Sequence, residues 1–377
     1  MRIAVIGAGV SGIIFSINRK RLHPEDHIVI FEHLDKPLKK ILATGNGKCN
    51  IANKKPIYQN YDEPIVQEIL KTYNFEKQKE FLNSLNVKIK LVNDLAYPIT
   101  ESAVTVRNAL LKAISELGIR IVTNSNVMDY AIKDGQLYLY VDETIIPFDK
   151  IVIATGGYSS PNLGSDGSFV KVIQYHGVKL EEFKPGLCPI YTRNSTKAVE
   201  GTRVKANVKL FNNDELLFNE DGEVLFKNKG LSGIVIFNMS RVIAPLPYKP
   251  YKIVLDLLPD ISEKELRDFL KEKGRDVLLE THLHPNLAKW LNRDDYSDDD
   301  IIKQMKKMTF TFDELYEFDD SQISVGGIKF DQLTDSLEYK KEKGVYFLGE
   351  LLNYDAPCGG YNLMWAIATG LYVANKM

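Results

Sequence analysis

Residues 2–12 read Arg2-Ile3-Ala4-Val5-Ile6-Gly7-Ala8-Gly9-Val10-Ser11-Gly12. After Arg2 the run is wholly apolar up to Gly7, as suits a parallel strand buried on both faces. Three glycines then follow in GxGxxG spacing, a helical run covers Ser11–Lys20, and a second apolar stretch covers His27–Glu32. The first glycine permits a tight turn, the second lets a pyrophosphate approach the backbone, and the third packs helix on strand. The helix start presents unpaired N–H groups and the positive end of a dipole to phosphate. Glu32 stands 20 positions after Gly12, at the end of the second strand. A carboxylate there accepts hydrogen bonds from ribose hydroxyls and disfavours a 2′-phosphate. The stretch therefore predicts a βαβ unit in an α/β domain with a parallel sheet. Gly7, Gly9, Val10, Ser11, Gly12 and Glu32 are its candidate dinucleotide contacts.

Working outward, one helix is expected over 63–83 and another over Ala103–Leu117, with a short strand at Ile119–Val122. Gln136–Val141 and Ile145–Phe148 read as an antiparallel hairpin, and Lys150–Ala154 as a buried strand ending at Thr155-Gly156-Gly157. Composition shifts near Pro185–Pro189. From Ile190 to about Lys252, short β-rich runs alternate with polar turns, and Asp221-Gly222 predicts a hairpin. Beyond Pro259 the spacing turns helical: Ser262 with Glu265 makes a capping-box pattern, and a further helix starts near Ser297. A buried strand returns at Gly344–Leu348, followed by Gly349-Glu350, and Gly359-Gly360 opens a terminal helix. The expected architecture is a Rossmann-like α/β domain built from both chain ends, 1–188 and 321–377. It carries an inserted β-rich module, 189–255 and 309–320, and a small helical module, 256–308.

The chain has 377 residues, more than one compact core holds. Its formal net charge of −2 offers no basic footprint, so nucleic acid is not an expected partner. No apolar stretch approaches the roughly 18 residues a membrane span needs, and no leader pattern precedes Ile3, so a cytoplasmic protein with no membrane contact is expected. Three scattered cysteines make neither a disulfide framework nor a zinc pair. Cys49 and Cys358 read as packing residues in loops rather than as a redox couple. His282 and His284 flank Leu283 in what reads as a solvated loop, and His176 falls at a helix end, where a cation suits the dipole. There is no GxSxG elbow to anchor hydrolase chemistry. Nor is there a second GxGxxG for a dedicated NAD(P)H domain, which leaves NAD(P)H as a transient reductant or, alternatively, discharge of electrons to oxygen.

Six stretches sort themselves around this frame: GAGVSG at 7–12, LATGNGKCN at 42–50, ATGG at 154–157, GLSG at 230–233, SVGGI at 324–328 and GELLNYDAPCGGYNLMWAIATG at 349–370. Together they make the chain similar to the HI0933-like flavoproteins, whose members are often labelled aminoacetone oxidase-like or NAD(P)/FAD-dependent oxidoreductases. The resemblance implies a Rossmann-like fold holding FAD non-covalently, with the inserted modules covering the flavin. It implies that Gly7, Gly9 and Gly12 hold the pyrophosphate and Glu32 the adenosine ribose. Lys40, Thr44, Asn46, Gly47, Lys48, Cys49 and Asn50 would line the central part of FAD, and the Val127 backbone would meet adenine. Ala154, Thr155 and Gly156 would close over the adenine half, with Gly349 and Glu350 near the ribityl or pyrophosphate. Gly360, Tyr361, Asn362 and Leu363 would bring a helix N-terminus to the flavin pyrimidine edge. Two departures stand out: Asn162-Leu163-Gly164-Ser165-Asp166-Gly167 replaces a TGSTGDG-like run, and Lys48 stands where arginine is usual.

The implied activity is hydride transfer between a small organic substrate and flavin N5. A small-amine, aminoacetone-like oxidase and an NAD(P)H-dependent reductase of an activated double bond are its two forms. A flavin-containing RNA-associated or scaffold protein is the reading from another class. No catalytic acid or base, and no oligomeric state, is marked by spacing.

Overall fold

Strand Arg2–Ile6 is the middle strand of a five-stranded parallel sheet in the computed structural model, which describes residues 1–377. His27–Phe31 pairs on one side and Lys150–Ile153 on the other. Arg120–Val122 extends the sheet beyond His27–Phe31, and Val345–Phe347 extends it beyond Lys150–Ile153. A strand from the far end of the chain thus lies two places from the first strand. Ile3–Ile6, Ile151–Ile153 and Val345–Phe347 are buried without a break. Strands covered on both faces need no alternation, and these show none. Helix Val10–Leu22 packs against the terminal helix Tyr361–Lys376. The approach is close: a Cβ on Gly370 would lie 2.7 Å from the Ser11 carbonyl oxygen.

The chain forms two units, one from residues 1–183 and 323–377 and one from 184–322. The first also holds a three-stranded antiparallel sheet, Val127–Lys133, Gln136–Val141 and Thr144–Phe148, and a second small sheet of Ala52–Asn53, Leu95–Pro98 and Ile89–Val92. The second unit is a closed six-stranded barrel. Helices Glu263–Lys273, Arg275–His282, Pro285–Leu291 and Asp298–Lys307 lie between its strands Lys252–Asp256 and Met308–Leu315 in the chain. Leu266, Leu278, Leu287 and Ile301 share one core with Val208, Phe226 and Phe310, so the β-rich and helical stretches bury a common apolar interior.

Three local expectations need correction. The region 63–83 is two helices, Pro64–Thr72 and Phe75–Ser84, because the Asn74 side chain accepts from Glu76 N–H and Lys77 N–H and starts a new helix. Asp221-Gly222 is not a turn. Strand Glu215–Lys227 runs straight through it, and the hairpin turns at Asn213-Asp214, where Asn213 takes φ +54°. Gly222 is small for another reason: a Cβ there would lie 2.8 Å from the Cβ of Val235 on helix Ile234–Ile243. His282 closes a helix, and the His284 ring caps the next one, accepting from Asn286 N–H at 3.2 Å.

Candidate functional site

The three glycines after Arg2–Ile6 divide their work as the spacing demands. Gly7, at φ +100°, would bring a Cβ to 2.5 Å from the Ala154 carbonyl oxygen, and Gly12 to 2.3 Å from the Gly7 carbonyl oxygen. Both are packing glycines. A Cβ on Gly9 would meet nothing within 4 Å, so the space over it is open. Helix Val10–Leu22 begins there with no side-chain cap and no acid in its first turn. Its first N–H groups, from Val10 to Gly12, therefore face that space with a positive dipole end. Glu32 is buried, and its carboxylate accepts from Ala8 N–H at 2.9 Å and Leu34 N–H at 3.0 Å, tying the glycine turn to the second strand. Ser125 N–H bonds the Glu32 carbonyl at 3.0 Å, which brings Val127, two residues on, to the same edge.

Loop 40–50 folds through three consecutive left-handed residues, Gly45, Asn46 and Gly47, at φ +56°, +53° and +81°. Thr44 donates to the Ile41 carbonyl at 2.6 Å and accepts Cys49 N–H on its own carbonyl at 3.0 Å. Cys49 is fully buried, and burial pushes its thiol up to about 11, against a smaller lowering by Thr44, so it is no thiolate at neutral pH. Lys48 turns outward to Glu101 at 3.0 Å. The Asn50 amide, oriented so that both ends are satisfied, donates to the Ala96 and Ala52 carbonyls and accepts from Gly360 N–H. That joins the loop to the start of the terminal helix.

Lys40 makes the second junction. Its ammonium donates to the Glu350 carboxylate at 2.7 Å and to the Ser159 hydroxyl at 2.6 Å. The other Glu350 oxygen accepts from the Ser159 hydroxyl at 2.8 Å and Ser324 N–H at 2.7 Å. The Ser324 hydroxyl in turn accepts from Tyr158 N–H and Ser159 N–H. Sequence reasoning singles out neither Ser159 nor Ser324. Ser324 opens the SVGGI stretch, the one signal available, while Ser159 lies just before the segment that departs from the family pattern. Beside them Gly156 would bring a Cβ to 2.7 Å from the Ser165 hydroxyl, and Ala154 N–H bonds the Ile6 carbonyl at 2.8 Å. The Thr155 hydroxyl is buried with no hydrogen-bond partner.

At the far side of the cradle Gly349 N–H bonds the Thr369 hydroxyl, and its carbonyl accepts from the Trp365 indole at 3.0 Å. Helix Tyr361–Lys376 starts at Gly360, φ +91°, with no side-chain cap. A Cβ on Gly360 would lie 2.8 Å from the Ala52 carbonyl oxygen, so only glycine lets the chain pass. Asn362 spends its side chain on the backbone of Ala356, accepting at 2.9 Å and donating at 2.8 Å, and Leu363 packs on the core. The structure thus gathers the candidates into one cradle along the carboxyl edge of the parallel sheet, with Lys48 on its outer rim. The donor set fits FAD: open space at Gly9, two uncapped helix starts, an orphaned Thr155 hydroxyl and a buried acid, Glu32, at the end of the second strand.

The sequence profile described as HI0933-like protein Rossmann domain matches residues 1–376. The chain is 30% identical, over all of its length and 98% of the relative, to a 3-dehydro-bile acid delta(4,6)-reductase of Clostridium scindens. It is 24% identical to the ribosomal RNA dihydrouridine synthase of Escherichia coli, across 96% of this chain and 94% of that one. Among solved structures, the 3-ketosteroid delta1-dehydrogenase of Sterolibacterium denitrificans superposes with a TM-score of 0.56 at 10% identity, covering 99% of this chain and 98% of that chain. That likeness is one of fold. No helix is long and apolar enough to cross a membrane.

Proposed function

Since the chain belongs to the HI0933-like family, a family of FAD-dependent oxidoreductases, we propose that it reduces an activated carbon–carbon double bond in a small organic substrate, with electrons drawn from NAD(P)H. The observation that carries FAD binding is the open, uncapped helix start over Gly9, set between Glu32 and the orphaned Thr155 hydroxyl. The reductase reading is supported by the names of the two relatives, a delta(4,6)-reductase and a dihydrouridine synthase, both of which denote saturation of a conjugated C=C bond. The small-amine oxidase reading has no comparable support in those names.

When bound, FAD supplies hydride acceptance and donation at its N5. The chain's part is to hold and bias it. Val10, Ser11 and Gly12 N–H groups would take the pyrophosphate, and Glu32 the adenosine ribose. Thr155 would find the hydrogen-bond partner it lacks. The Tyr361–Lys376 helix start would offset negative charge at the pyrimidine edge by about 0.3–1 kcal/mol. Lys40, Ser159 and Ser324 would fix Glu350 so that its carboxylate does not swing away from the polyol chain.

The test is spectroscopic and then chemical. Purified protein saturated with FAD should be yellow and should bleach anaerobically with NADPH or NADH. Colour should return on adding a conjugated cyclic enone, with recovery of the saturated ketone. Return of colour with air alone, and peroxide release with aminoacetone in the absence of NAD(P)H, would mark an oxidase instead. Dihydrouridine formed in added ribosomal RNA, with no turnover of the enone, would place the substrate in RNA. Protein that stays colourless in excess FAD would end the flavin reading altogether.

A further inference from the structure

We infer that the chain carries a second small-molecule site, behind the terminal helix, for a compact apolar carboxylate. A cavity of about 330 Å³ lies between loop 53–58, the starts of helices Phe75–Ser84 and Tyr361–Lys376, and the end of helix Pro64–Thr72. That volume falls at the lower end of the roughly 300–1,000 Å³ range of ligand pockets. Of the residues assigned above to the dinucleotide cradle, Tyr361 alone lines it.

The floor is apolar: Leu70, Phe75 and Met364 are each more than nine-tenths buried within the unit yet line this space. Tyr361 is 7% exposed, lines the same cavity, and has no hydrogen-bond partner for its hydroxyl. That hydroxyl keeps contact with solvent, so an acceptor placed in the cavity would replace water as its partner.

Charge selects the ligand. Lys54 and Lys55 line the mouth, and neither ammonium is engaged in an ion pair or hydrogen bond. Lys71, which is not a lining residue, sits 5.0 Å over the ring of the wall residue Tyr58 and donates to Gln67. Against the two mouth lysines stand Glu76, which leans on Lys79 at 3.6 Å, and Asp94, close enough to act on Tyr361. Among the residues that line the cavity, two unpaired ammonium groups stand against the single carboxylate of Glu76, itself paired with Lys79, and leave an anion favoured at the rim. An aryl or alkyl carboxylate of one or two rings satisfies all three features: body on Leu70, Phe75 and Met364, carboxylate toward Lys54 and Lys55, an oxygen within reach of Tyr361.

The probe is 1-naphthoate, with neutral 1-naphthamide as its isostere, titrated calorimetrically into protein saturated with FAD and into protein stripped of it. We expect naphthoate to bind about tenfold more tightly than naphthamide, and K54Q/K55Q to bring the two within about threefold of each other. Both lysines are exposed, so this variant folds as the parent does. Protein labelled on its methionine methyls gives seven signals, and that of Met364, assigned with M364L, should move most on adding naphthoate. Equal binding of acid and amide, no change in K54Q/K55Q, or an unmoved Met364 methyl would each overturn the site. Binding that vanishes once FAD is added would do the same, because the probe would then have occupied the cradle. This outcome is separate from the fate of the FAD reading, since the titration of stripped protein stands alone.

Discussion

At the scale of single residues, Gly9 and Gly12 look alike in the motif and differ in what surrounds them. Gly9 has φ −76°, which any residue adopts, and open space where its Cβ would go. Gly9→Val should therefore change stability by no more than about 0.5 kcal/mol and weaken FAD at least about a hundredfold, by filling the place the pyrophosphate needs. Gly12→Val should do the reverse in kind: its Cβ would fall 2.3 Å from a backbone oxygen, a clash costing about 1–3 kcal/mol or more. Thermal melts with and without FAD separate the two. His176 offers a pH-dependent case. Its ring nitrogens face Asp129 at 3.0 Å and Glu342 at 2.8 Å, and the ring stacks on Tyr130. Burial pulls the imidazolium down, but the two carboxylates outweigh it and leave the pKa above its ordinary value. A raised folded-state pKa means that the stabilisation is complete below about 6.5 and fades as pH rises through the folded value. His176→Gln should cost about 1.5–3 kcal/mol in denaturant melts at a pH of about 5.5, with the gap to wild type narrowing on the alkaline side. A gap that widened with pH would show the ring to be neutral in the folded protein.

At the scale of elements, capping chemistry is the cleanest instance of local sequence deciding local structure. Ser262 accepts from Glu265 N–H and Glu265 reaches back to Ser262 N–H, and Ser297 with Asp300 repeats the device on another helix. Ser262→Ala and Ser297→Ala should each cost about 1 kcal/mol and add when combined, since the helices are capped independently. Calorimetric melts of the two single variants and the double check this. Such boxes, the GxGxxG turn and the buried parallel strands are legible because each is a short-range pattern with one physical meaning. Where the meaning is long-range, the pattern misleads. Asp221-Gly222 has the composition of a turn, but Gly222 is small because Val235 comes from a helix beyond it in sequence, and the true turn at Asn213-Asp214 lacks the glycine. The break at Asn74 is hidden because apolar spacing continues across it, while only the side-chain cap marks a new start. Within the cradle, residues that must be glycine for backbone conformation or close approach, such as Gly7, Gly12 and Gly360, are visible by type. Ser159 is not, and Ser324 only as the first residue of SVGGI, since a serine that fixes a distant carboxylate has no local signature of its own.

At the scale of the whole molecule, the first unit is made from two pieces of chain, so something must fasten residues near 40 to residues near 350. The sheet does part of this through Lys150–Ile153 beside Val345–Phe347. Lys40 does the rest at the cradle itself. Its ion pair with Glu350 is neither exposed, where such pairs contribute little, nor fully buried, where desolvation dominates: the side chains are 29% and 22% exposed. Lys40→Met would leave one Glu350 oxygen on Ser159 and Ser324 N–H and strip the other of its cation. We expect a loss of about 1–2 kcal/mol in the apoprotein and a larger effect on FAD, about tenfold or more in Kd, because the loop and the Glu350 turn no longer hold one geometry. Lys40→Arg should restore stability, since it keeps the charge, and recover affinity only in part, because the larger guanidinium holds its donors in a fixed plane and cannot take the place of a compact ammonium between Ser159 and Glu350. If Lys40→Met lowered stability and left flavin affinity as in wild type, the ion pair would be a fastener of the two chain ends with no share in shaping the cradle. An affinity loss with stability intact would assign it to the cofactor. The expected result is both together, because the closing of the chain and the closing of the site depend on the same ammonium.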